Sequence, residues 1–331
     1  MGGLQFSAML QDRLGRPIRY LRLSLTRACP MRCVYCRPAG YATHRDENEL
    51  GVDEIESIVR HLAAAHGLVK VRLTGGEPTV RPDLLQIIRR VSQIPGIADL
   101  AMTTNGLTLS RQAAALREAG LKRINISIDS LDPRTFASIT GVDQLTRVLD
   151  GIDAARDAQL RPVRVNAVVV RGHNEQELPA LLHFAAEKDL EIRFIELMPM
   201  GPLHERWAER YVPESEMREI LASSVEFWRA LPGSSESARR YRAVLSDGGQ
   251  ANVGFITAMS HPFCDQCDRM RIGAGGELYP CLMDRPSGNI LAAVRPRFDA
   301  RLFDELLREG LAQKSAEHPA RGHAVMIELG G

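Results

Sequence analysis

The sequence predicts an incomplete, open α/β barrel of six parallel strands, followed by a C-terminal region organised around cysteines. Two observations carry this expectation. Between residues 18 and 197, stretches of strand character alternate with stretches whose apolar residues recur at helical spacing, the pattern of parallel strands joined by right-handed helical crossovers. Polar clusters also recur where those strands end, which is where barrels of this kind place their chemistry. Six units are present rather than eight, so the barrel stays open. At 331 residues the chain can supply a barrel of roughly 200–250 residues plus an appended region. The division is set at 1–230 for the barrel and 231–331 for the C-terminal region.

After a short leader and a turn at Asp12-Arg-Leu-Gly15-Arg-Pro17, residues 18–26 alternate Tyr20, Arg22 and Ser24 on one face with Leu21, Leu23 and Leu25 on the other. Period two is a strand. Residues 52–65 carry Val52, Ile55, Ile58, Val59 and Leu62 at helical spacing, and Gly67 stands where that helix would stop. Further strands are expected at 68–74, 98–104, 123–128, 163–170 and 193–197. Helices are expected at 82–94, 109–118, 132–139 with 148–158, and 175–187. The strand ends carry Thr74-Gly-Gly-Glu-Pro78, Thr103-Thr-Asn-Gly106, Ser127-Ile-Asp-Ser130 and Glu196-Leu-Met-Pro199. Beyond Gly201 come a short helix at 214–221, a Pro/Gly/Ser-rich linker at 231–236, strands at 241–245 and 252–256, and a helix at 299–311. No repeat or low-complexity tract interrupts the chain.

With 44% hydrophobic and 25% charged residues, the composition is that of an ordinary soluble protein. No apolar run approaches the ~20 residues of a membrane helix, and the N-terminus lacks the charged and apolar blocks of a signal peptide. The expected location is cytoplasmic. A net charge of +1 offers no basic footprint for duplex nucleic acid. Lysine occurs only at Lys70, Lys122, Lys188 and Lys314, so nearly all of the basic residues are arginine.

All six cysteines fall into two triplets, which suits a reducing compartment and two metal centres better than disulfides. The first reads Cys29-Pro-Met-Arg-Cys33-Val-Tyr-Cys36. Three thiolates in eight residues cannot pair off, and a zinc site built from one loop normally shows four ligands. Soft sulfur donors that stop at three point to an iron–sulfur cluster with one iron left open to hold an outside molecule. The spacing, with Tyr35 before the last cysteine, resembles the signature of the radical S-adenosylmethionine (SAM) enzymes. The resemblance implies a [4Fe–4S] cluster whose open iron chelates SAM. Gly75-Gly76-Glu77-Pro78, at the end of the next strand, matches the family's SAM-binding glycine turn, and glycine lets backbone approach a ligand closely.

The second triplet reads His261-Pro-Phe-Cys264-Asp-Gln-Cys267-Asp-Arg269-Met270-Arg271, with Cys281 ten residues beyond Arg271. A zinc site of three cysteines and His261 is the structural alternative, but His261 lies so close to Cys264 that the chain would have to double back. A second cluster with an open iron is the other reading. Arg269 and Arg271 beside it supply guanidinium forks suited to phosphate oxygens. The chain as a whole resembles the GTP 3′,8-cyclases, through Lys70-Val-Arg72, Thr103-Thr-Asn-Gly, Asn125-Ile-Ser-Ile-Asp-Ser, Asn166-Ala-Val-Val, Arg193-Phe-Ile-Glu-Leu-Met198, the second triplet and the terminal Gly-Gly.

That resemblance implies that Cys29, Cys33 and Cys36 hold the SAM cluster, that Tyr35, Gly76, Ser127 and Met198 contact SAM, and that Cys264, Cys267 and Cys281 hold a second [4Fe–4S] cluster. It places Arg22, Arg72, Thr103, Arg164, Arg269, Met270 and Arg271 on GTP, with Lys70 and Arg193 in the same cationic pocket. Gly330 and Gly331 would reach into the active site. The implied reaction is abstraction of the ribose C3′ hydrogen of GTP by a 5′-deoxyadenosyl radical, giving 3′,8-cyclo-7,8-dihydro-GTP at the first step of molybdenum cofactor biosynthesis. An electron donor such as a flavodoxin or ferredoxin is implied, and a homodimer is admitted. No protein residue is assigned as catalytic, because the radical carries the chemistry. The second reading is a radical SAM enzyme acting on a peptide, although such enzymes usually carry more accessory cysteines and need no arginine pair beside them.

Two departures from the family pattern stand out. Arg27-Ala28-Cys29-Pro30 replaces a common Asp before and Asn after the first cysteine, which bears on hydrogen bonding to the cluster and not on ligation. Arg164 stands where lysine is usual, keeping the charge but changing its geometry.

Overall fold

The computed structural model describes residues 9–38, 48–232, 237–323 and 326–329. Most of the expected 231–236 linker lies outside the described residues, as do Gly330 and Gly331. Six parallel strands follow one another in space as in sequence: β1 (Tyr20–Ser24), β2 (Lys70–Thr74), β3 (Asp99–Thr104), β4 (Arg123–Ser127), β5 (Val163–Val169) and β6 (Glu191–Glu196). The helices between them are α1 (Val52–His66), α2 (Leu84–Ser92), α3 (Leu109–Glu118), α4 (Pro133–Thr140), α5 (Leu145–Asp157) and α6 (Leu178–Glu187).

Local chemistry sets their ends. The Glu54 carboxylate accepts the Gly51 N–H at 2.7 Å and is itself gripped by Arg295, while α1 stops at Gly67 with φ +69°, a left-handed conformation that suits glycine. Asp132 caps α4 by accepting the Thr135 N–H at 2.8 Å, with Pro133 in the first turn.

The strands divide their side chains by period two. Leu21 and Leu23, Val71 and Leu73, Ile124 and Ile126, and Ile192 and Phe194 face outward and are fully buried against the helices. Each such side chain contributes roughly 1.5–3 kcal/mol. The alternating positions face inward, and most are polar or charged, Val168 on β5 and Ile195 on β6 being apolar exceptions.

The structure differs from the expected barrel at its two edges. β9 (Gln250–Ile256) pairs parallel with β6, and β10 (Arg269–Ile272) pairs parallel with β1. Antiparallel hairpins then continue outward, through β8 (Arg239–Leu245) and β7 (Val225–Ala230) on one side and through β11 (Glu277–Tyr279) and β12 (Gly288–Asn289) on the other. Among the described residues one open sheet of twelve strands results, in the order β12-β11-β10-β1-β2-β3-β4-β5-β6-β9-β8-β7. The boundary expected at residue 230 falls in the β7–β8 connection of that sheet. Among the described residues, no helix is long and apolar enough to cross a membrane.

Candidate active site: a cationic cavity bounded by two cysteine triplets

The loop after β1 carries the first triplet. It is stitched to the end of α4 by Arg32 N–H to Thr140 O (2.8 Å) and Val34 N–H to Ile139 O (2.9 Å), and Cys36 N–H turns back onto Cys33 O (2.9 Å). From the other side it is pressed by the glycine turn after β2. A Cβ on Gly76 would sit 2.2 Å from Ala28 O, and one on Gly75 would sit 2.5 Å from Thr26 O. Gly76→Ala must therefore push two backbone segments apart. It is expected to cost about 1–3 kcal/mol of stability and to lower the iron retained by the first triplet, measured by urea unfolding and by metal analysis.

Buried Glu77 fixes this arrangement. Its carboxylate accepts Thr79 N–H (3.0 Å), Thr79 Oγ1 (2.7 Å), Thr104 Oγ1 (2.7 Å) and Asn105 N–H (2.6 Å), tying the ends of β2 and β3 together. Asn105 then directs its side-chain amide at Cys29 Sγ, 3.8 Å away. At the end of β4, Asp129 accepts Tyr35 OH at 2.6 Å and Val168 N–H at 2.8 Å, and burial holds its carboxyl up at about 6. Burial, with the nearby carboxylates, also raises the thiols. Cys29 is pushed to about 11 and Cys36 to about 12, and Cys33 lies well above the ordinary range. All three cysteines line the same cavity, and a soft, multiply charged metal group bound there would offset this burial by lowering the thiol pKa values.

The second triplet begins at the opposite end of β1. The β1–β10 register pairs Tyr20 with Arg269, so Cys267 lies just beyond the amino end of β1 while Cys29 follows its carboxyl end. The antiparallel pairing of Arg271 with Tyr279, continued two residues along each strand, brings Cys281 back toward Arg269. Here the charges are reversed. Burial alone would raise Cys267, but Arg269 and Lys314 outweigh it and bring the thiol down to about 7. Cys264 and Cys281 are raised by burial. His261 is turned toward Arg239 (3.0 Å) and Ser260 Oγ (3.1 Å) and is not part of the cavity lining, and His318, which is, has its ring nitrogens on Pro319 O (3.0 Å) and Ala258 O (2.8 Å).

Between the triplets runs one cavity of about 320 Å³. In a closed barrel the inward positions are filled by branched apolar side chains. Here they are Arg22 on β1, Lys70 and Arg72 on β2, Arg123 on β4, Arg164 on β5, Arg193 on β6, and Arg269 and Arg271 on β10. Glu191 is shared by Arg164 (3.2 Å) and Arg193 (2.6 Å), and Arg123 pairs with Asp99. Arg72 donates to Tyr20 OH at 2.6 Å. Burial opposes ionisation of Tyr20, yet Arg72, Arg22 and their neighbours bring it down to about 8. Burial and the repulsion of Arg72 and Arg269 pull Arg22 down to about 10, and burial with Arg22 and Arg269 pulls Arg271 well below its usual value. Such crowding of desolvated cations is costly on its own and favourable around a polyanion.

Tyr35, Gly76, Ser127 and Met198 line this cavity, as do Arg22, Arg72, Thr103, Arg164, Arg269, Arg271 and all six cysteines. Met270 does not, because it alternates with its arginine neighbours on β10 and packs fully buried into the core behind the sheet. Sequence reasoning passed over Glu77, Asn105 and Asp129 as site-forming groups, and also Arg123, Asn125, Asn166 and His318, which line the cavity. The signal for Asn125 and Asn166 was present, since both occupy the polar phase of otherwise apolar strands.

Two family models together span most of the chain: the radical SAM superfamily at residues 23–185 and Molybdenum Cofactor Synthesis C at residues 190–320. The chain is 42% identical to a GTP 3′,8-cyclase of Pelotomaculum thermopropionicum, over 97% of this chain and 100% of that protein. It is 41% identical to GTP 3′,8-cyclase 1 of Pseudomonas aeruginosa, over 93% of each. Among solved structures, Streptococcus suis SuiB bound to S-adenosylmethionine shares the fold at a TM-score of 0.61 and 16% identity, over 89% of this chain and 68% of SuiB. With its three-cysteine loop and glycine turn at the carboxyl ends of an open parallel sheet, and with relatives of this similarity along nearly its whole length, the chain belongs to the GTP 3′,8-cyclase family of the radical SAM superfamily.

Proposed function

We propose that this protein converts GTP to 3′,8-cyclo-7,8-dihydro-GTP, the first step of molybdenum cofactor biosynthesis, in the cavity between the two triplets. The observation that carries the reading is the lumen itself, where inward strand positions that would normally pack a barrel core are arginines. Cys29, Cys33 and Cys36 would hold a [4Fe–4S] cluster, and Tyr35, Gly76, Ser127 and Met198 would contact the SAM bound to it. Cys264, Cys267 and Cys281 would hold a second [4Fe–4S] cluster. When bound, SAM and its cluster supply the radical chemistry that opens the ribose C3′–H bond.

The protein's part is placement. Arg22, Arg72, Arg164, Arg269 and Arg271, with Thr103, would bind GTP, and a triphosphate would offset the burial and mutual repulsion that disfavour the charges of Arg22, Arg72 and Arg271. Asn125 Oδ1 and Asn166 Oδ1 are buried acceptors without a partner among the described residues, and they can receive hydroxyl or N–H donors of the nucleoside. Fixing both reactants in one channel turns an encounter into an oriented step. The segment after the C-terminal helix contributes His318 to the channel lining and is fastened beside it, since His318 bonds Ala258 O (2.8 Å), Gly322 N–H bonds Pro199 O (2.9 Å) and His323 N–H bonds Met283 O (2.9 Å). Electrons would come from a donor such as a flavodoxin or ferredoxin, in the cytoplasm, with the enzyme as a monomer or a homodimer.

Anaerobic incubation with SAM, dithionite and GTP deuterated at C3′ tests the proposal. Deuterium is expected in the 5′-deoxyadenosine released, together with a product isomeric with GTP that chromatography separates. Unlabelled deoxyadenosine formed at the same rate with any nucleoside triphosphate would reject it.

A further inference from the structure

Lys314 is one of only four lysines in the chain, and it is buried at 2% exposure. It follows the C-terminal helix Ala300–Ala312, outside both cysteine motifs and the arginine lining. Its ammonium lies 3.5 Å from Cys267 Sγ and donates to the Arg269 carbonyl. A lysine so deeply buried needs an anionic partner, and the sulfur it faces supplies one as a thiolate.

The placement of Lys314 is over-determined. Arg13 Nε donates to Lys314 O at 3.1 Å. Arg16 fastens the next residues, reaching Ser315 O (2.8 Å), Ala316 O (3.2 Å) and Cys264 O (2.5 Å) while its Nε is held by Asp12 at 2.6 Å. The leader, the second cysteine loop and the 314–318 segment are thereby locked to one another. The same segment directs the His318 backbone N–H at Cys264.

No lysine faces the first triplet in this way among the described residues, and the charges around it are of both signs. Cys29 receives the neutral amide of Asn105 at 3.8 Å, Arg37 donates to the Cys29 and Met31 carbonyls at 3.2 and 3.3 Å, and the carboxylates Glu77 and Asp129 oppose that guanidinium by raising the thiols. Reduction makes an iron–sulfur group more negative, so positive charge and N–H donors at its sulfurs raise its potential, and carboxylates lower it.

We propose that Lys314 is a positioning residue for the second cluster, whose buried ammonium raises the reduction potential of that cluster above that of the SAM-binding one. This rests on the reading of Cys264, Cys267 and Cys281 as cluster ligands. It gives the two groups separate duties. The low-potential site remains the one able to reduce SAM, and the other is biased to hold charge without spending it on cofactor cleavage.

The test is an EPR-monitored redox titration of anaerobically reconstituted wild type, K314M and K314R, with iron counted in each and SAM added to mark the first cluster's signal. In K314M the second signal is expected to lose at least tenfold in its reduced-to-oxidised ratio at fixed ambient potential, which is about 59 mV for a one-electron couple. K314R should recover most of that shift, and the first signal should not move in either variant. A K314M protein with full iron and both midpoints unchanged overturns the proposal. Should K314M lose its second cluster, K314Q is titrated instead, since it keeps a donor without the charge, and a wild-type midpoint there also overturns it. Loss from K314Q as well, with retention in K314R, would show that the cluster needs a cation here simply to be held, and would overturn the assignment of Lys314 to setting its potential. Wild-type protein with about four rather than about eight irons, and a single EPR signal, would instead remove the second-cluster reading.

Discussion

Replacing any one of Cys29, Cys33 or Cys36 with alanine is expected to abolish SAM cleavage, because two thiolates cannot hold the cluster. The chain should stay folded, since the core that supports this loop lies behind the strands in buried Leu21, Leu23, Val71 and Leu73. The matching changes at Cys264, Cys267 or Cys281 should leave the first cluster's absorbance and uncoupled deoxyadenosine formation in place while product formation from GTP stops. Chromatography of deoxyadenosine and of the nucleotide product from each variant separates the two outcomes. SAM cleavage surviving a change in the first triplet would remove the basis of the mechanism.

The second large effect is expected from Arg271→Met, and its sign depends on what is measured. Arg271 is buried at 6% exposure on β10, and burial, Arg22 and Arg269 all oppose its charge. Without nucleotide, an apolar side chain of similar length should leave the protein as stable as wild type or more so, as is common when an uncomfortable buried charge is replaced. With nucleotide, a charge-assisted bond worth ~1.5–3 kcal/mol is lost, so GTP affinity should fall roughly 10- to 150-fold. Thermal unfolding of the unliganded protein and anaerobic calorimetry with GTP and with SAM report the two quantities separately. SAM affinity should hold, since its proposed contacts lie near the other triplet. Lower unliganded stability with unaltered GTP affinity would mean that Arg271 serves the fold instead of the ligand.

Much of this site could be read in the sequence because barrel strands state their two faces locally. Leu21-Arg22-Leu23 and Ile124-Asn125-Ile126 announce an apolar outer face and a polar inner one without reference to any other part of the chain. The paired glycines at 75 and 76 were read as a ligand-facing turn. The structure adds a second demand on them, since the turn also lies against backbone at Thr26 and Ala28. What the sequence hid depends on partners distant along the chain. Nothing local in Arg269–Ile272 says that it lies beside β1, and nothing in Gln250–Ile256 says that it lies beside β6, because parallel pairing leaves no turn to mark it. Glu77 and Asp129 were visible as residues but not as clamps, since their donors come from other strands and loops. Met270 differs from the two cavity arginines beside it in sequence, because strand alternation turns its side chain into the core behind the sheet.

The pairing of β1 with β10 also bears on how the protein is made. Both flanks of the six-stranded sheet are covered by segments synthesised last, so a ribosome-bound chain that has emerged only as far as β6 leaves β1 and β6 as uncovered parallel edges, with arginines crowded on the concave side. Unpaired edges of that kind invite association with other chains. The Cys29–Cys36 loop, by contrast, has by then met its supports at Glu77, Asn105 and α4. A cell would thus present the first metal-binding loop to its iron–sulfur assembly machinery before the second exists, and a chain truncated before residue 250 is expected to aggregate rather than to persist as a smaller enzyme.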